Sequence, residues 1–527
     1  MRIALRVDAS AEIGTGHAVR CLTLADAIKR TGAECMFVSR RLLGDHVELL
    51  QERGIAVHVL PQTDVRPITA ADDPPHAHWL AVPWQNDARE TRELLERLQP
   101  DWLIVDHYAL DARWEAQAAP PGTKIMAIDD LADRPHRCEV LLDQNLGRKT
   151  ADYQGLMPPV AVRLIGPRYA LLRPEFAAYR QHSLARRREP ELRHILISMG
   201  GIDKDNVTSA VLRTLEETGL ADTIRVSVVM GPSAPWLDEV QRLAASSQRP
   251  TNVRVGVDDM AALMSEADLS IGAAGTTAWE RCCLGLPAII AVLADNQLAS
   301  AHALAEAGAV LSAGRADAPD FAVKLIAALD TAADPATLQN LTAAAAAVTD
   351  GKGAERMSRA ITTPALTLRD AGHGDAEAVW RWRHHGDAWR LYRSGCPTPL
   401  SDHLAWFKKA LRDGQRHLLM VCDGDQPVAH VRLDRDAADP ASGTVGICVD
   451  PDRRGEGLAV RALALALSAA RERSILRVSA EIHDANQASL HAFEGVGFQR
   501  TGSHGPFQTW QIDVSGNFWP EAERDGH

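Results

Sequence analysis

Long apolar runs, regularly spaced cysteines and an excess of basic residues are all missing from this 527-residue chain. No apolar segment reaches the roughly 20 residues of a membrane-spanning helix, and Arg6 and Asp8 interrupt the first apolar run, so we expect no secretory signal there. The formal net charge of −12 argues against general nucleic-acid binding or an anionic membrane surface. The eight cysteines are scattered, and the pair Cys282-Cys283 lacks metal-ligand spacing, which predicts reduced thiols and a cytoplasmic protein.

The remaining composition is that of an ordinary globular protein, with 46% hydrophobic and 24% charged residues. A chain of this length is too long to fold around one hydrophobic core, and its length alone suggests three or four domains. We predict an α/β fold class: two Rossmann-like lobes over residues 1–165 and 166–362, with a crevice between them, followed by a separate α+β domain over 363–527.

Alternation of apolar runs with helical segments carries this prediction for the first two lobes. In the first lobe, "WLIVDHY" and "KIMAIDD" are apolar runs that end in acids, and residues 61–86 have the composition of a long irregular loop. In the second lobe, "HILISMGG", "IRVSVVMG" and the stretch 267–297 continue the alternation. Residues 316–348 are alanine-rich and predicted helical, and "TDGKGAER" after them is predicted to be a surface turn.

The last part of the chain has a different pattern. "LLMVCDGDQPVAHVRL" predicts two antiparallel strands about a Gly-Asp turn. A strand at Val445–Val449 then leads through the turn Arg454–Ala459 into a helix from Val460. Backbone amides at such a turn can hold a pyrophosphate, because small residues permit close approach.

A glycine-rich turn near the start, Gly14-Thr15-Gly16-His17, joins a short apolar run to a helical segment. Free amides at the start of a helix suit a phosphate, and His17 would stand beside it, ready to exchange a proton near neutral pH. The alternative is that His17 only caps the helix.

The span 366–515 resembles the GNAT-type N-acetyltransferases, on the turn with the pattern R-x-x-G-x-A and the following "RVSAEIHDAN" and "QASLHAFEGVGF". The resemblance implies acetyl-CoA as co-substrate, bound by Val449, Arg454, Gly455, Gly457, Ala459, Asn486 and Ser489. Many members carry a tyrosine as general acid where this chain has Phe493, so the proton donor is left open. Glu481 and His483 are candidate bases, or simply a solvated strand end.

The first 360 residues resemble the UDP-sugar hydrolases of pseudaminic acid biosynthesis, relatives of the peptidoglycan N-acetylglucosaminyltransferase with the GT-B fold. The motifs run in order: "RVDASAEIGTGHAVRCLTLA", "VDHY", "IDDLADR", "LDQN", "GPRYALLRPEF", "SMGG" and "GAAGTTAWERCCLGLPAIIAVLADNQ". The resemblance implies His17 as general base and a UDP-sugar site at Gly14, Gly16, Arg173, Gly275, Thr276, Thr277, Glu280, Asn296 and Gln297. The structural alternatives are an exposed helical acid for Glu280 and a helix cap for Asn296.

Acids at predicted strand ends raise the question of a metal. Asp8, Asp106, Asp129 and Asp130 have the right chemistry for Mg²⁺, but no set shows clear ligand spacing, and we predict no catalytic metal.

Together the two halves predict a bifunctional enzyme that acetylates a UDP-linked 4-amino deoxy sugar and hydrolyses the acetamido product to free sugar and UDP. Two alternatives for the front half stay open: a UDP-sugar glycosyltransferase, and a non-catalytic nucleotide-sugar-binding module.

Overall fold

The computed structural model describes residues 1–10, 12–42, 44–45, 47–61, 70, 72–158, 161–362 and 366–515. Contacts divide the chain into two compact units: one contains Met1–Asp143, Lys149–Ile165 and the chain from Arg356 onward, and the other contains Gln144–Arg148 and Gly166–Glu355. The predicted domain boundary at 362 and 363 touches residues 363–365, which lie outside the described residues, and the predicted boundaries stay predictions. No helix within the described ranges has the length and apolar character needed to cross a membrane.

The first lobe is a parallel sheet covered by helices, as the alternation predicts. Two of its central strands are apolar and buried except for one charged residue at an end, Asp106 in one and exposed Lys124 in the other, because helices cover both faces of the sheet. The described strands, in spatial order β3-β2-β1-β4-β5-β6-β7, are β1 (Arg2–Val7), β2 (Glu34–Arg40), β3 (Ala56–Leu60), β4 (Trp102–Asp106), β5 (Lys124–Ile128), β6 (Val140–Asp143) and β7 (Val162–Ile165). The helices are α1 (Gly16–Lys29), α2 (Val47–Glu52), α3 (Trp84–Leu98) and α4 (Ala112–Ala118).

The segment 61–86 is only partly the irregular loop that its composition predicts. Residues 62–69 and 71 lie outside the described part. A short 3-10 helix covers Ala77–Leu80, and α3 already begins at Trp84. The loop prediction was therefore too long at its carboxyl end.

The second lobe repeats the parallel architecture. Its strands, in spatial order β10-β9-β8-β11-β12-β13, are β8 (His194–Ser198), β9 (Arg225–Met230), β10 (Thr251–Val255), β11 (Leu269–Ala273), β12 (Ala288–Val292) and β13 (Leu311–Arg315). The helices are α5 (Pro174–Arg186), α6 (Val207–Glu216), α7 (Leu237–Ser246), α8 (Met260–Glu266), α9 (Thr277–Cys283), α10 (Leu298–Glu306), α11 (Phe321–Ala332) and α12 (Pro335–Val348). Helix α13 (Gly353–Thr362) begins in this unit, and from Arg356 it belongs to the first unit. The predicted alanine-rich helical region forms α11 and α12.

The stretch "TDGKGAER" is not a surface turn, and that prediction was wrong. Thr349 is buried, and α13 starts at Gly353. A Cβ atom on Gly353 would lie 2.2 Å from the Ala170 carbonyl oxygen, and one on Gly351 would lie 2.6 Å from the Cys283 sulfur. Both positions need glycine because a backbone oxygen at Gly353 and a buried sulfur at Gly351 leave no room for a Cβ, which a turn-like composition does not reveal.

The C-terminal domain is built on a mixed sheet with spatial order β14-β15-β16-β17-β18-β20-β19. Its strands are β14 (Thr367–Asp370), β15 (Arg416–Asp423), β16 (Gln426–Arg435), β17 (Ser442–Val449), β18 (Arg477–His483), β19 (Gln499–His504) and β20 (Phe507–Asp513), and its helices are α14 (Ala376–His384), α15 (Leu400–Ala410), α16 (Leu458–Glu472) and α17 (Gln487–Gly495). The predicted hairpin is confirmed as β15 and β16. The predicted helix starts two residues earlier than expected, at Leu458.

Two separate cores cover the two faces of this sheet. Side chains of α16 and α17, including Leu463 and Phe493, pack with Val431 and Val478 on one face. Side chains of α14 and α15 pack with Met420 and Cys448 on the other. Successive side chains along a central strand point to opposite faces of the sheet, so they alternate between these two cores.

Candidate functional sites

His17 lies in the first turn of α1, directly after the glycine turn. Gly14 adopts φ +80°, a backbone conformation that favours glycine, and its amide donates to the Ser10 carbonyl at 2.8 Å. A Cβ on Gly14 or Gly16 would meet no described atom within 4 Å. The turn thus has open space at both glycine positions directly before His17.

The imidazole is bound to a buried carboxylate. His17 Nδ1 lies 2.6 Å from Asp106 Oδ1, and the Asp106 side chain is fully buried. Asp106 ends β4, which pairs with β1 in the parallel register Val7 to Asp106. Because an ionised carboxylate only accepts, Nδ1 carries the proton and the lone pair of the neutral ring is on Nε2.

Arg20, one helical turn after His17, holds Asp106 from the other side. Its Nε donates to Asp106 Oδ2 at 2.7 Å and its Nη2 to Oδ1 at 2.6 Å, while Nη1 binds Asp130. Burial alone would raise the pKa of Asp106, but Arg20 and His17 outweigh it and hold that pKa well below its usual range. Asp106 is therefore a permanent carboxylate, and His17 is oriented by it.

Aromatic rings enclose the imidazole. The Tyr108 ring meets His17 edge-on at 4.6 Å between centroids, and Trp79 stacks on Tyr108 at 5.6 Å. His76 lies 4.5 Å from Trp79, and the Tyr108 hydroxyl donates to Asp130 Oδ2 at 2.8 Å. Sequence reasoning found neither Arg20 nor this aromatic group. The i, i+3 spacing of His17 and Arg20 was the available signal, since it puts both side chains on one helix face.

The acids at strand ends are paired with arginines. The pairs are Asp8 with Arg6 at 2.6 Å, Asp106 with Arg20 at 2.6 Å, Asp129 with Arg134 at 2.8 Å, and Asp130 with Arg20. Within the part of the chain that the structure describes, no group of three or more His, Cys, Asp or Glu could hold a metal ion. The guanidinium groups supply the positive charge that these carboxylates need.

In the second lobe, the predicted UDP-binding residues lie on and after the turn from β11 to α9. A Cβ on Gly275 would meet no described atom within 4 Å. Thr276 is the N-cap of α9 but makes no side-chain capping bond, and Thr277 is its first helical residue. Amides at this helix start are suited to an anion.

Glu280 of α9 is brought together with Arg173. Glu280 Oε1 lies 3.7 Å from Arg173 Nη2, and the carboxylate is 15% exposed, so it is not an exposed helical acid. Burial raises the pKa of Glu280 to about 7, against the opposing effect of Arg173. Arg173 also donates to the Asp258 carbonyl at 3.4 Å and pairs with Glu175 at 3.1 Å.

Asn296 and Gln297 form part of a 3-10 turn between β12 and α10. Gln297, not Asn296, is the N-cap residue of α10, and its side chain makes no capping bond there. Instead its Oε1 accepts from the Leu293 amide at 3.0 Å. Asn296 is exposed and does not cap the helix.

In the C-terminal domain, five of the seven predicted acetyl-CoA residues, Val449, Arg454, Gly455, Gly457 and Ala459, form one strand–turn–helix unit. Val449 ends β17, and Ala459 lies in the first turn of α16. Between them, Gly455 and Gly457 adopt φ +86° and +75°, and a Cβ on either would meet no described atom within 4 Å. Arg454 is exposed on this turn. The arrangement leaves a cradle open over the start of a helix, which suits a pyrophosphate.

The neighbouring strands β17 and β18 diverge. Ser442–Thr444 of β17 pair in parallel with Arg477–Ser479 of β18. Beyond these residues, the later halves of the two strands do not pair with each other. Asn486 caps α17 by accepting from the Ser489 amide at 3.2 Å. That bond occupies the Asn486 oxygen. Both residues follow β18, beyond the end of the strand that diverges from β17.

The candidate acid–base groups of this domain have distinct surroundings. Phe493 is buried and packs edge-on against Phe498 at 4.9 Å. Glu481 forms an ion pair with Arg393. His483 Nδ1 accepts from the Ala485 amide at 3.1 Å, so in the neutral ring the proton is on Nε2 and no lone pair is left to act as a base.

Comparison with known proteins gives matches to both halves. Residues 194–357 match the glycosyltransferase family 28 C-terminal domain, and residues 365–499 match the acetyltransferase (GNAT) domain. An uncharacterized protein of Methanocaldococcus jannaschii is 25% identical over 306 residues, which are 56% of this chain and 56% of that protein. The chain therefore spans about half the length of this relative.

A second relative is covered almost completely. The UDP-2,4-diacetamido-2,4,6-trideoxy-beta-L-altropyranose hydrolase of Campylobacter jejuni is 26% identical over 311 residues, which are 58% of this chain and 97% of the hydrolase. Among solved structures, MurG of Acinetobacter baumannii superposes with a TM-score of 0.51 at 16% identity, covering 68% of this chain and 98% of MurG. The predicted fold class is confirmed, and the chain combines a GT-B-type α/β region, which includes a glycosyltransferase family 28 C-terminal domain, with a GNAT acetyltransferase domain.

Proposed function

We propose that the chain is a bifunctional nucleotide-sugar enzyme of pseudaminic acid biosynthesis. The GNAT domain acetylates the 4-amino group of a UDP-linked precursor, and the front half hydrolyses UDP-2,4-diacetamido-2,4,6-trideoxy-β-L-altropyranose to UDP and the free sugar. The bond between His17 and Asp106, 2.6 Å long and buried, is the observation that carries the hydrolase half. Similarity to the Campylobacter hydrolase over 97% of its length supports the choice of substrate.

In the proposed hydrolysis, His17 acts as general base. Asp106 fixes the Nδ1 proton, so Nε2 accepts a proton from a water molecule as that water attacks the anomeric carbon with inversion. The imidazolium that forms is stabilised by the Asp106 carboxylate. The apolar faces of Tyr108 and Trp79 suit a deoxy sugar, which carries a methyl group in place of a hydroxyl.

The second lobe would hold the nucleotide. Amides at Gly275, Thr276 and Thr277 bind the diphosphate and stabilise the charge that develops on it as the glycosidic bond breaks. Glu280 accepts from the ribose hydroxyls, and Arg173 beside it adds positive charge. Since the Gln297 oxygen is already bonded to the backbone, its amide N–H groups are what it offers to the sugar, together with Asn296.

In the proposed acetyl transfer, the turn at Arg454, Gly455 and Gly457 binds the pyrophosphate of acetyl-CoA, and the diverging strands admit its pantetheine arm. Glu481 is the better placed base, because the lone pair of His483 Nδ1 is occupied. It accepts the proton that the amine loses when it attacks the thioester.

The test uses one protein for both reactions. His17→Ala should lose UDP release from the diacetamido UDP-sugar and keep acetylation of the 4-amino precursor, as followed by mass spectrometry of the products. His58→Ala, which removes an imidazole from strand β3, is the matched control and should keep both activities. UDP release near the wild-type rate in His17→Ala would overturn the assignment of the base.

A glycosyltransferase is the second candidate for the front half. The match to the glycosyltransferase family 28 C-terminal domain and the MurG-like fold favour it. Incubation with the UDP-sugar and no acceptor separates the two, because only a hydrolase then turns over rapidly. A non-catalytic binding module would bind UDP without producing it, and His17 would be dispensable.

A further inference from the structure

A cavity of about 370 Å³ lies in the first lobe, apart from the residues to which the proposed function gives a role. Among the described residues, its lining includes the chain before the 3-10 helix Ala77–Leu80, residues of that helix, the start of α3 and the start of α4. Its volume is within the range of small-molecule sites. The cavity is therefore large enough for a ligand that the proposed function does not assign to it.

The cavity shares parts of its wall with the aromatic group of the proposed hydrolysis site. In the 3-10 helix, Ala77 and Leu80 line the cavity, whereas Trp79 between them stacks on Tyr108 at 5.6 Å. The residue after Tyr108, Ala109, lines the cavity again. These two short stretches of chain contribute to both places, so the cavity and the hydrolysis site are neighbours.

One cation, Arg113, lies in the cavity wall and is held by three acids. Its Nη1 donates to Asp72 Oδ2 at 2.8 Å, its Nη2 to Asp73 Oδ1 at 3.2 Å and its Nε to Asp111 Oδ2 at 2.8 Å. The guanidinium carbon lies 5.2 Å from the Trp84 ring centroid. Three carboxylates around one guanidinium make this group net negative, which disfavours a phosphate or a nucleotide.

The rest of the lining combines apolar side chains with an amide. The apolar residues include Pro74, Leu80, Val82 and Pro83. The Gln85 amide both donates and accepts, as sugar hydroxyl groups do, and the apolar residues suit the faces of a sugar ring. Each of the three carboxylates already contacts the guanidinium, so a cationic ligand would find its counter-charge taken. The chemistry suits a neutral ligand that carries several hydroxyl or amide groups.

We propose that this cavity is a second sugar site of the first lobe, which binds a neutral monosaccharide beside the hydrolysis site. The choice of sugar rests on the proposed function, because the product of that hydrolysis is a neutral diacetamido sugar released next to the shared wall. Its hydroxyl and amide groups pair with Arg113, Asp72 and Gln85, and its ring and methyl groups contact the apolar residues.

The test is equilibrium dialysis of the free diacetamido sugar while the hydrolysis site is filled. A phosphonate analogue of the UDP-sugar, with CH₂ in place of the glycosidic oxygen, fills that site without being hydrolysed. We expect about one sugar to bind per chain beside the analogue. Arg113→Met should weaken this binding by about 10–100-fold, the range for loss of a hydrogen bond from a charged group.

Two further variants keep the test independent of folding effects. Gln85→Leu changes an exposed side chain of the lining and should weaken sugar binding by about 2–10-fold. Arg89→Met, at an exposed position of α3 outside the lining, is the matched control and should bind the sugar as the wild type does. The proposal would be overturned if no sugar bound beside the analogue, or if all three variants bound it equally.

The class of ligand is tested by competition. Inorganic phosphate should not displace the sugar, and the free 4-amino sugar, a cation at neutral pH, should bind no more tightly than its acetylated form. Displacement by phosphate, or tighter binding of the amino sugar, would overturn the assignment of a neutral ligand.

UDP release measured on the same protein separates this inference from the proposed function. Sugar binding that depends on Arg113, in a protein that releases no UDP from the UDP-sugar, would support the cavity as a sugar site and refute the hydrolase. UDP release without such binding would support the hydrolase and refute the sugar site.

Discussion

Replacing Asp106 by Asn tests whether the carboxylate sets the proton position on His17. The carboxylate accepts from Nδ1 at 2.6 Å and leaves the Nε2 lone pair for substrate water. An asparagine amide can donate to Nδ1 instead, which moves the ring proton to Nε2. The ring would keep its place and lose its ability to accept a proton from water.

The expected effect on hydrolysis is large. General-base assistance contributes about 10²–10⁴-fold to a rate, and a reversed histidine tautomer in the serine-protease triad costs about 10⁴-fold. We therefore expect kcat for UDP release to fall by about 10²–10⁴-fold in Asp106→Asn, with the KM for the UDP-sugar little changed. Arg20 loses one ionic partner, but it keeps Asp130. Leaving a buried charge without its partner costs about 3–5 kcal/mol, which sets the upper limit for destabilisation.

The assay is UDP release measured beside acetyl transfer in the same preparation. Asp8→Asn is the matched control, because Asp8 is a buried acid that follows the adjacent strand β1 and pairs with Arg6 at 2.6 Å. It should cost stability and spare hydrolysis. An equal loss of UDP release in the two variants would refute the tautomer argument and leave only a structural role for Asp106.

Three further predictions concern the second lobe and the acetyltransferase domain. If Glu280 binds the ribose as proposed, UDP should bind more tightly above about pH 7 than below it, because burial raises the pKa of Glu280 to about 7 and the ionised carboxylate can accept from both ribose hydroxyls. Calorimetry should show that this pH dependence vanishes in Glu280→Gln. Gly457→Val should raise the KM for acetyl-CoA and leave UDP release unchanged, because φ +75° strains a side-chain-bearing residue by about 1–2 kcal/mol and its branches would enter the cradle. Gly353→Ala should lower the free energy of unfolding in urea by about 1–3 kcal/mol, since its Cβ would lie 2.2 Å from the Ala170 oxygen, whereas Gly374→Ala, with no described atom within 4 Å, should change little.

The parallel sheets could be predicted because their strands are covered on both faces. "AIIAV" is a continuous apolar run, and "HILIS" is apolar between His194 and Ser198. Both strands are buried along their whole length, as a strand covered on both faces requires. Edge strands give no such pattern. Strand β19 has the sequence "QRTGSH" and is exposed along its whole length, so its place in the sheet depends on pairing with β20 and not on its own hydrophobicity.

In the candidate sites, too, residues with a local sequence pattern could be predicted, and residues brought in from distant parts of the chain could not. His17 could be singled out because the glycine turn that positions it is local in sequence. Its partner Asp106 is 89 residues away, so only the parallel register of β1 and β4 brings the two together. Arg20 and Trp79 were missed for the same reason, since an arginine on a helix and a tryptophan in a polar loop have no local mark of function. The roles of these side chains in binding stay predictions.

Packing within the first unit bears on how the two proposed activities would be arranged in one chain. Arg163 of β7 donates to the Val496 carbonyl at 3.3 Å, directly after α17, and Gln499 Nε2 donates to Gln154 Oε1 at 2.8 Å. A Cβ on Gly497 would lie 2.6 Å from Arg163 Nη1 and would displace the guanidinium, and φ +93° at this position favours glycine. A flexible tether only sets an average concentration of one site near another. These contacts instead fix the acetyltransferase domain against the lobe that carries His17, so any gain in passing the acetylated sugar onward depends on a constant separation and should not vary with the length of the connecting segment.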